Sequence, residues 1–229
     1  MELYEYLGGV FIPSLPLPIG NVIGGGAHAE GATEIQEFLV VATGASGPTE
    51  AVFANAAVHR ELKALLKREG KSCGKGDEGA WAPRVTDAEA FELLSEAVGT
   101  VSENLDITIR IGLDVAASQL WQDKGIYRYR DRVCSTEEQI AYICELVDRY
   151  DLVYVEDPLH EEDFAGFAEL TSQVGDQCLI CGDDLFVTTT SRIQQGIEQE
   201  SANCVLIKPN QVGTLTDTFE AVHLAHTSG

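Results

Sequence analysis

Positive charge is scarce in this chain. Lysine and arginine together number 15 against 37 aspartates and glutamates, a formal −22. Such a surface is a poor partner for nucleic acid, whose phosphates demand clustered lysine and arginine. The acids are spread along the sequence with no long run, so they are not an acidic tail. Long apolar runs are missing too. Stretches such as Phe38 to Ala42 fall far short of the ~18 residues a membrane helix needs, so no membrane span is expected. Glu2 and Glu5 stand where a secretion signal requires a basic region. These features point to a soluble, cytoplasmic protein.

The six cysteines (Cys73, Cys134, Cys144, Cys178, Cys181, Cys204) form no disulfide-scaffold pattern in a chain of 229 residues. Cys178 and Cys181 resemble a metal or redox pair, but on a strand they would face opposite sides. The early glycines (Gly20, Gly24, Gly25, Gly26) are followed by neither a Walker Lys-Ser/Thr nor GxGxxG, which excludes those phosphate loops. His59, His160, His223 and His226 offer no ligand constellation.

What is present is a rhythm. The first 35 residues, rich in glycine and proline, read as loops around short strands. From Thr49 to Glu69, Val58, Leu62, Leu65 and Leu66 recur at helical spacing. Thr86-Asp-Ala-Glu89 is a capping box ahead of Phe91, Leu94 and Val98. Ile107, Ile109, Ile111 and Leu113 alternate as a strand ending at Asp114. Ser135-Thr-Glu-Glu138 caps the next helix, and a strand from Leu152 to Val155 ends at Glu156. After a helix carrying Phe164, Phe167, Leu170 and Val174, the strand Cys178 to Cys181 runs into Asp183. A helix around Ile193 and Ile197 precedes Val205 to Ile207, ending at Lys208, and a last helix begins near Leu215. Strands alternating with helices imply an α/β fold with a parallel sheet, either a barrel or a doubly wound sheet.

Four successive strands thus finish on ionisable residues: Asp114, Glu156, Asp183 and Lys208. In a barrel, the C-terminal strand ends converge on one mouth. A single such acid would as readily cap the following helix, but three in succession with a lysine on the fourth favour a site. Three converging carboxylates repel one another unless a cation lies between them. Oxygen donors without histidine or cysteine select a hard ion, Mg²⁺ before Zn²⁺. A lysine beside a divalent ion has its pKa lowered and can act as a base.

Several segments carry a specific resemblance: Ile111-Gly-Leu-Asp-Val-Ala-Ala-Ser118, Val155-Glu-Asp-Pro158, Gly182-Asp-Asp-Leu-Phe-Val-Thr188 and Leu206-Ile-Lys-Pro-Asn-Gln-Val-Gly-Thr214. Upstream, Leu15-Pro-Leu-Pro, Gly24-Gly-Gly-Ala-His28, Gln36-Glu37-Phe38 and Gly76-Asp-Glu-Gly79 belong to the same pattern. In this order, over essentially the whole chain, they resemble the enolases. The Lys-x-Lys pattern on the second strand, common in relatives such as mandelate racemase and muconate cycloisomerase, does not occur here.

The resemblance implies a (β/α)8 barrel of TIM type, incomplete, with about six of eight strands present. It implies Mg²⁺-dependent interconversion of 2-phosphoglycerate and phosphoenolpyruvate, the superfamily's general pattern being a Lys or His base with one or two Mg²⁺ ions. Position by position, Asp114, Glu156 and Asp183 resemble the ligands of the tighter Mg²⁺, Glu156 and Asp183 also reaching the substrate. Asp183 rather than Asp184 takes this place. Lys208 resembles the base that removes the C2 proton, and Glu78 the acid that assists loss of the C3 hydroxyl. Gln36 and Glu37 look like substrate-pocket residues, and His28 like a member of a loop that closes near the substrate. A homodimer or higher homo-oligomer is implied for the full-length protein, with a secondary cell-surface location in some of the family.

Departures from the family pattern are also present. Ala80 stands where the family usually has a second glycine, with Trp81 next, and local repacking is expected there. No counterpart is found for the family's N-terminal capping domain, or for its phosphate- and carboxylate-binding groups on the last two strands. The segment alone is therefore expected to be inactive. The alternatives are another superfamily enzyme acting on a carboxylate, or a non-catalytic barrel remnant that binds.

The charge balance yields a testable consequence of its own. Salt should screen self-repulsion, so the melting temperature should rise as KCl goes from low to molar levels. A flat or falling curve would sink this reading.

Overall fold

The computed structural model describes residues 2–8 and 15–229. Of the glycine- and proline-rich opening stretch, residues 9–14 lie outside that description. Helix α1 (Leu3–Gly8) buries no side chain. Strand β1 (Ile19–Gly24) pairs antiparallel with β2 (Glu37–Val41). Helices α2 (Pro48–Arg68) and α3 (Asp87–Leu105) follow, then β3 (Arg110–Asp114). Three short strands, β4 (Trp121–Gln122), β5 (Ile126–Arg128) and β6 (Val133–Ser135), form a separate antiparallel sheet. The chain then alternates: α4 (Thr136–Tyr150), β7 (Tyr154–Glu156), α5 (Phe164–Val174), β8 (Leu179–Gly182), α6 (Thr190–Gln199) and β9 (Cys204–Val205). Helices α7 (Pro209–Val212) and α8 (Leu215–Thr227) close it.

The helices form where the apolar spacing places them. Helix α2 buries Val58, Leu62, Leu65 and Leu66 on one face. Both expected capping boxes are made, Thr86 with Glu89 and Ser135 with Glu138. Each satisfies two backbone N–H groups that the first helical turn would otherwise leave unpaired.

The main sheet has six strands in the order β1-β2-β3-β7-β8-β9, and among the described residues it is open. From β3 onward the pairing is parallel, as the alternation implied. At its start the expectation of a parallel sheet is corrected, because β2 runs antiparallel to both β1 and β3. The connections explain this. The link between β1 and β2 carries no more than a three-residue helical turn, Gly26–His28, and no helix that could run back along the sheet. Between β2 and β3 there are two helices running in opposite directions. Arg68 pairs with Glu96 and Lys71 with Glu89 at one end, and Gly44 N–H donates to the Thr108 carbonyl at the other. One helix returns the chain to the end where its strand began, whereas two return it to the end where the strand stopped.

Successive strand residues face opposite sides. Phe38, Val40, Ile111, Leu113, Val155 and Ile180 join the large cluster shared with the helices. Leu39, Tyr154 and Cys181 form a smaller cluster on the other face, with Val153, Cys204 and Leu206 packed against it. Cys178 belongs to the first cluster and Cys181 to the second, as expected, and all six thiols are free. Gly112 lies on the inner face because Tyr154 needs the space. A Cβ at Gly112 would stand 3.2 Å from both the Cβ and the carbonyl oxygen of Tyr154.

Two glycine substitutions should therefore behave oppositely in urea unfolding. Gly112→Ala should destabilise by about 1–3 kcal/mol through overpacking. Gly99→Ala, on an exposed turn of α3 where a Cβ would meet nothing within 4 Å, should stabilise by about 0.5–1 kcal/mol through helix propensity.

Candidate active site and metal centre

The sheet register gathers the expected residues at one end. Glu37 is the ladder partner of Asp114, and Asp114 that of Glu156. Gly24, the last residue of β1, pairs with Glu37, so the loop from Gly25 to Gln36 lies at the same mouth. His28, Gln36 and Glu37 reach the site only because β2 runs antiparallel. Asp183 directly follows β8, and Lys208 lies just beyond β9.

The carboxylates are buried: Asp114 is 6% exposed, Glu156 8%, Asp183 8% and Asp157 3%. Asp114 accepts from Gln36 Nε2 at 2.9 Å and from the Ala116 N–H at 3.0 Å. Glu156 Oε2 accepts from the Tyr154 hydroxyl at 2.6 Å. Asp183 Oδ1 accepts from Gln211 Nε2 at 2.7 Å, and its Oδ2 pairs with Lys208 Nζ. Burial, reinforced by the negative charges of the neighbours, raises the pKa of Asp114 and of Glu156. Asp157 is pushed up to about 7, again chiefly by burial.

Burial acts to lower the pKa of Lys208, but Asp183, Glu156 and Asp114 outweigh it and hold the ammonium above its ordinary value. That is the reverse of what a base requires. The sequence expectation of a lowered pKa presupposes a divalent cation beside the lysine.

One oxygen each from Glu156, Asp157 and Asp183 lie within 4.8 Å of one another. Asp114 stands level with Glu156 in the ladder but is not in that set. Asp157 escaped sequence reasoning because strand alternation would turn it away from Glu156. Its backbone is left-handed, with φ 40°, and this breaks the alternation. Its oxygens accept from the N–H groups of Asp183 (3.1 Å) and Asp184 (2.8 Å), so it holds the backbone that presents Asp183. An all-oxygen set of clustered, desolvated acids fits a hard cation such as Mg²⁺.

A second group faces the first. His28 Nδ1 lies 3.1 Å from Glu37 Oε1, and Asn21 Nδ2 donates to Glu78 Oε2 at 3.1 Å. His28, Glu37 and Glu78 each bring one ligand atom within 4.8 Å of the others. Burial first, then the hydrogen bond to Glu78 and the surrounding carboxylates, raise the pKa of Glu37. The same hydrogen bond lowers that of Glu78. The pair thus pulls in opposite directions, Glu37 toward its neutral form and Glu78 toward its charged form.

Sequence reasoning also missed two glutamines. Gln119 Nε2 donates to Gln36 Oε1 at 2.8 Å, which aims the Gln36 amide nitrogen at Asp114. Gln211 is held by the Thr188 hydroxyl (2.8 Å), which also accepts the Lys208 N–H (2.8 Å). Thr188 and Gln211 fall inside recognisable segments, whereas nothing in the sequence marks Gln119. Ala80, where local repacking is expected, is buried. Its methyl lies beside Gly24, where even an added Cβ would come no closer than 3.5 Å.

Acids and a lysine at the carboxyl ends of adjacent parallel strands mark an α/β protein with a carboxylate–lysine centre. Residues 13–229 match the family described as enolase, C-terminal TIM barrel domain. The chain is 60% identical over 231 residues to the enolase of Methanocorpusculum labreanum, covering all of this chain and 58% of that protein. It is 58% identical to the enolase of Archaeoglobus fulgidus, covering all of this chain and 57% of that protein. With the enolase of Natronomonas pharaonis the identity is 56%, over 99% of this chain and 57% of that protein. The chain belongs to the enolase family and spans a little over half the length of these curated relatives. No helix among the described residues is long and apolar enough to cross a membrane.

Proposed function

We propose that the protein carrying this chain is an enolase that reversibly dehydrates 2-phosphoglycerate to phosphoenolpyruvate with Mg²⁺. The observation that carries the reading is the opposition of two groups at one mouth. Asp114, Glu156 and Asp183 stand with Lys208 on one side, and the adjacent carboxyl groups of Glu37 and Glu78 on the other. Asp114, Glu156 and Asp183 would hold Mg²⁺, which supplies positive charge for the substrate carboxylate as C2 loses its proton.

The remaining chemistry belongs to the chain's own residues. Lys208, once neutral, takes the proton from C2. The electron pair left on C2 forms the C2–C3 double bond as the C3–O bond breaks. Glu37, held toward its neutral form by burial, passes its proton to Glu78 as Glu78 delivers one to the departing hydroxide, so that one proton leaves the pair and one water leaves the substrate. Glu156, Asp183, Gln36 and His28 complete the pocket around the substrate. We read the protein as a cytoplasmic homo-oligomer, a reading the family relationship supports.

Calorimetry tests the metal assignment: Asp114→Ala, Glu156→Ala and Asp183→Ala should each weaken Mg²⁺ binding while the fold persists. Unchanged affinity in any of them removes that residue from the site.

Solvent exchange of the C2 hydrogen of 2-phosphoglycerate, followed beside dehydration, tests the proton transfers. Lys208→Ala should abolish exchange, whereas Glu78→Gln should slow dehydration and retain exchange. Survival of exchange without Lys208 would mean that the base lies elsewhere.

A further inference from the structure

Glu78 sits on a turn outside any helix or strand, and the residue after it, Gly79, has φ 85° with nothing within 4 Å of where a Cβ would be. Local steric contacts therefore do little to fix the direction of this turn, so other anchors must set it. Backbone bonds supply part: Gly76 N–H donates to the Ala80 carbonyl, and Trp81 exchanges bonds with Val22 and Gly24 of β1.

Asn21 Nδ2 holds the Glu78 carboxylate itself, and a further anchor of the turn comes from one residue of α2. His59 Nε2 lies 3.1 Å from the carbonyl oxygen of Gly79, and since a carbonyl only accepts, the ring donates. In return, Trp81 Nε1 donates to the His59 carbonyl at 2.9 Å. The two rings stack, with centroids 4.9 Å apart and planes 27° from parallel. Burial, aided by Lys75 and Lys63, keeps the pKa of His59 below its ordinary value, so the ring is neutral and carries its proton on Nε2. The turn bearing Glu78 is thus clamped to a helix by reciprocal bonds on both sides of Ala80.

We propose that His59 is a positioning residue for the proton donor, holding the Gly79 carbonyl so that Glu78 meets the leaving hydroxyl. The inference rests on the reading of Glu78 as that donor. A displacement of about 1 Å in a catalytic group can cost about a hundredfold in rate. The donor's step should suffer, while the step belonging to Lys208, on the opposite side of the mouth, should not.

The test compares His59→Leu with His59→Gln in the complete protein, the two being alike in bulk and differing in the donor. His59→Leu should lower kcat for dehydration by about tenfold to a hundredfold, with KM little changed and C2 exchange retained. His59→Gln, whose amide can donate to Gly79, should recover most of the loss. Trp81→Phe, which keeps a stacking ring but removes the indole N–H, should fall between them. Equal loss of exchange and dehydration, no loss, failure of glutamine to rescue, or failure of His59→Leu alone to fold would each overturn the proposal. Glu78→Gln run in parallel separates two failures. If it dehydrates normally, the donor assignment falls and the inference with it. If it is impaired while His59→Leu is not, only the inference falls.

Discussion

One row of ladder partners crosses the main sheet: Gly24, Glu37, Asp114, Glu156, Cys181 and Cys204. Because side chains alternate with a period of two, a slip of one residue between any two strands would turn the acids of one strand from the mouth to the helix layer. The apolar sets prevent the slip. Phe38 and Val40, Ile111 and Leu113, Val155 and Ile180 are all buried against the helices, and each would have to exchange places with its neighbour. Hydrophobic burial on the outer face thus sets the level at which charge collects on the inner one.

That collection is electrostatically costly, and the surrounding bonds show how the cost is contained. Asp114 and Asp157 each accept two hydrogen bonds involving backbone or amide donors. Glu156 has a tyrosine hydroxyl, and Asp183 has Gln211 and Lys208. Even so, burial leaves Asp114, Glu156 and Asp157 with raised pKa values, since a neutral donor only partly offsets desolvation beside like charges. Lys208 is drawn into the deficit as a counter-ion, which is why its own pKa is raised. A divalent cation among these oxygens would take over that service and release the lysine to accept a proton.

Most of the helical layer and the parallel half of the sheet were legible in the sequence. Apolar spacing marked α2, α4, α5 and α6, and both capping boxes marked helix starts to the residue. Strand direction was not legible at the start of the chain, because direction is a property of the connection. A pair of helices between β2 and β3 reads in sequence like any helical stretch. The meander β4–β6 escaped because strands of two or three residues carry no periodicity. Within the site, the strand-end acids and the lysine were visible as a pattern. Asp157 was hidden by its left-handed backbone, and Gln119 by a contact across 83 positions of sequence.

The two halves of the proposed proton traffic rest on separate scaffolds. Lys208 and Asp183 are held through Thr188, Gln211 and Asp157, all in segments that follow the parallel strands β7, β8 and β9. Glu37 and Glu78 are held by the antiparallel return of β1 and β2 and by α2. Among the site residues, Asp114 belongs to both halves. Its strand pairs with β2 on one side and β7 on the other, and its carboxylate takes the Gln36 amide while lying within the field of Asp157 and Asp183. Charge placed at Asp114 is therefore felt on both sides: after burial and the bond to Glu78, it adds to what raises the pKa of its ladder neighbour Glu37. A cation bound beside Asp114 would therefore bear on Glu37 as well as on Lys208, through charge alone.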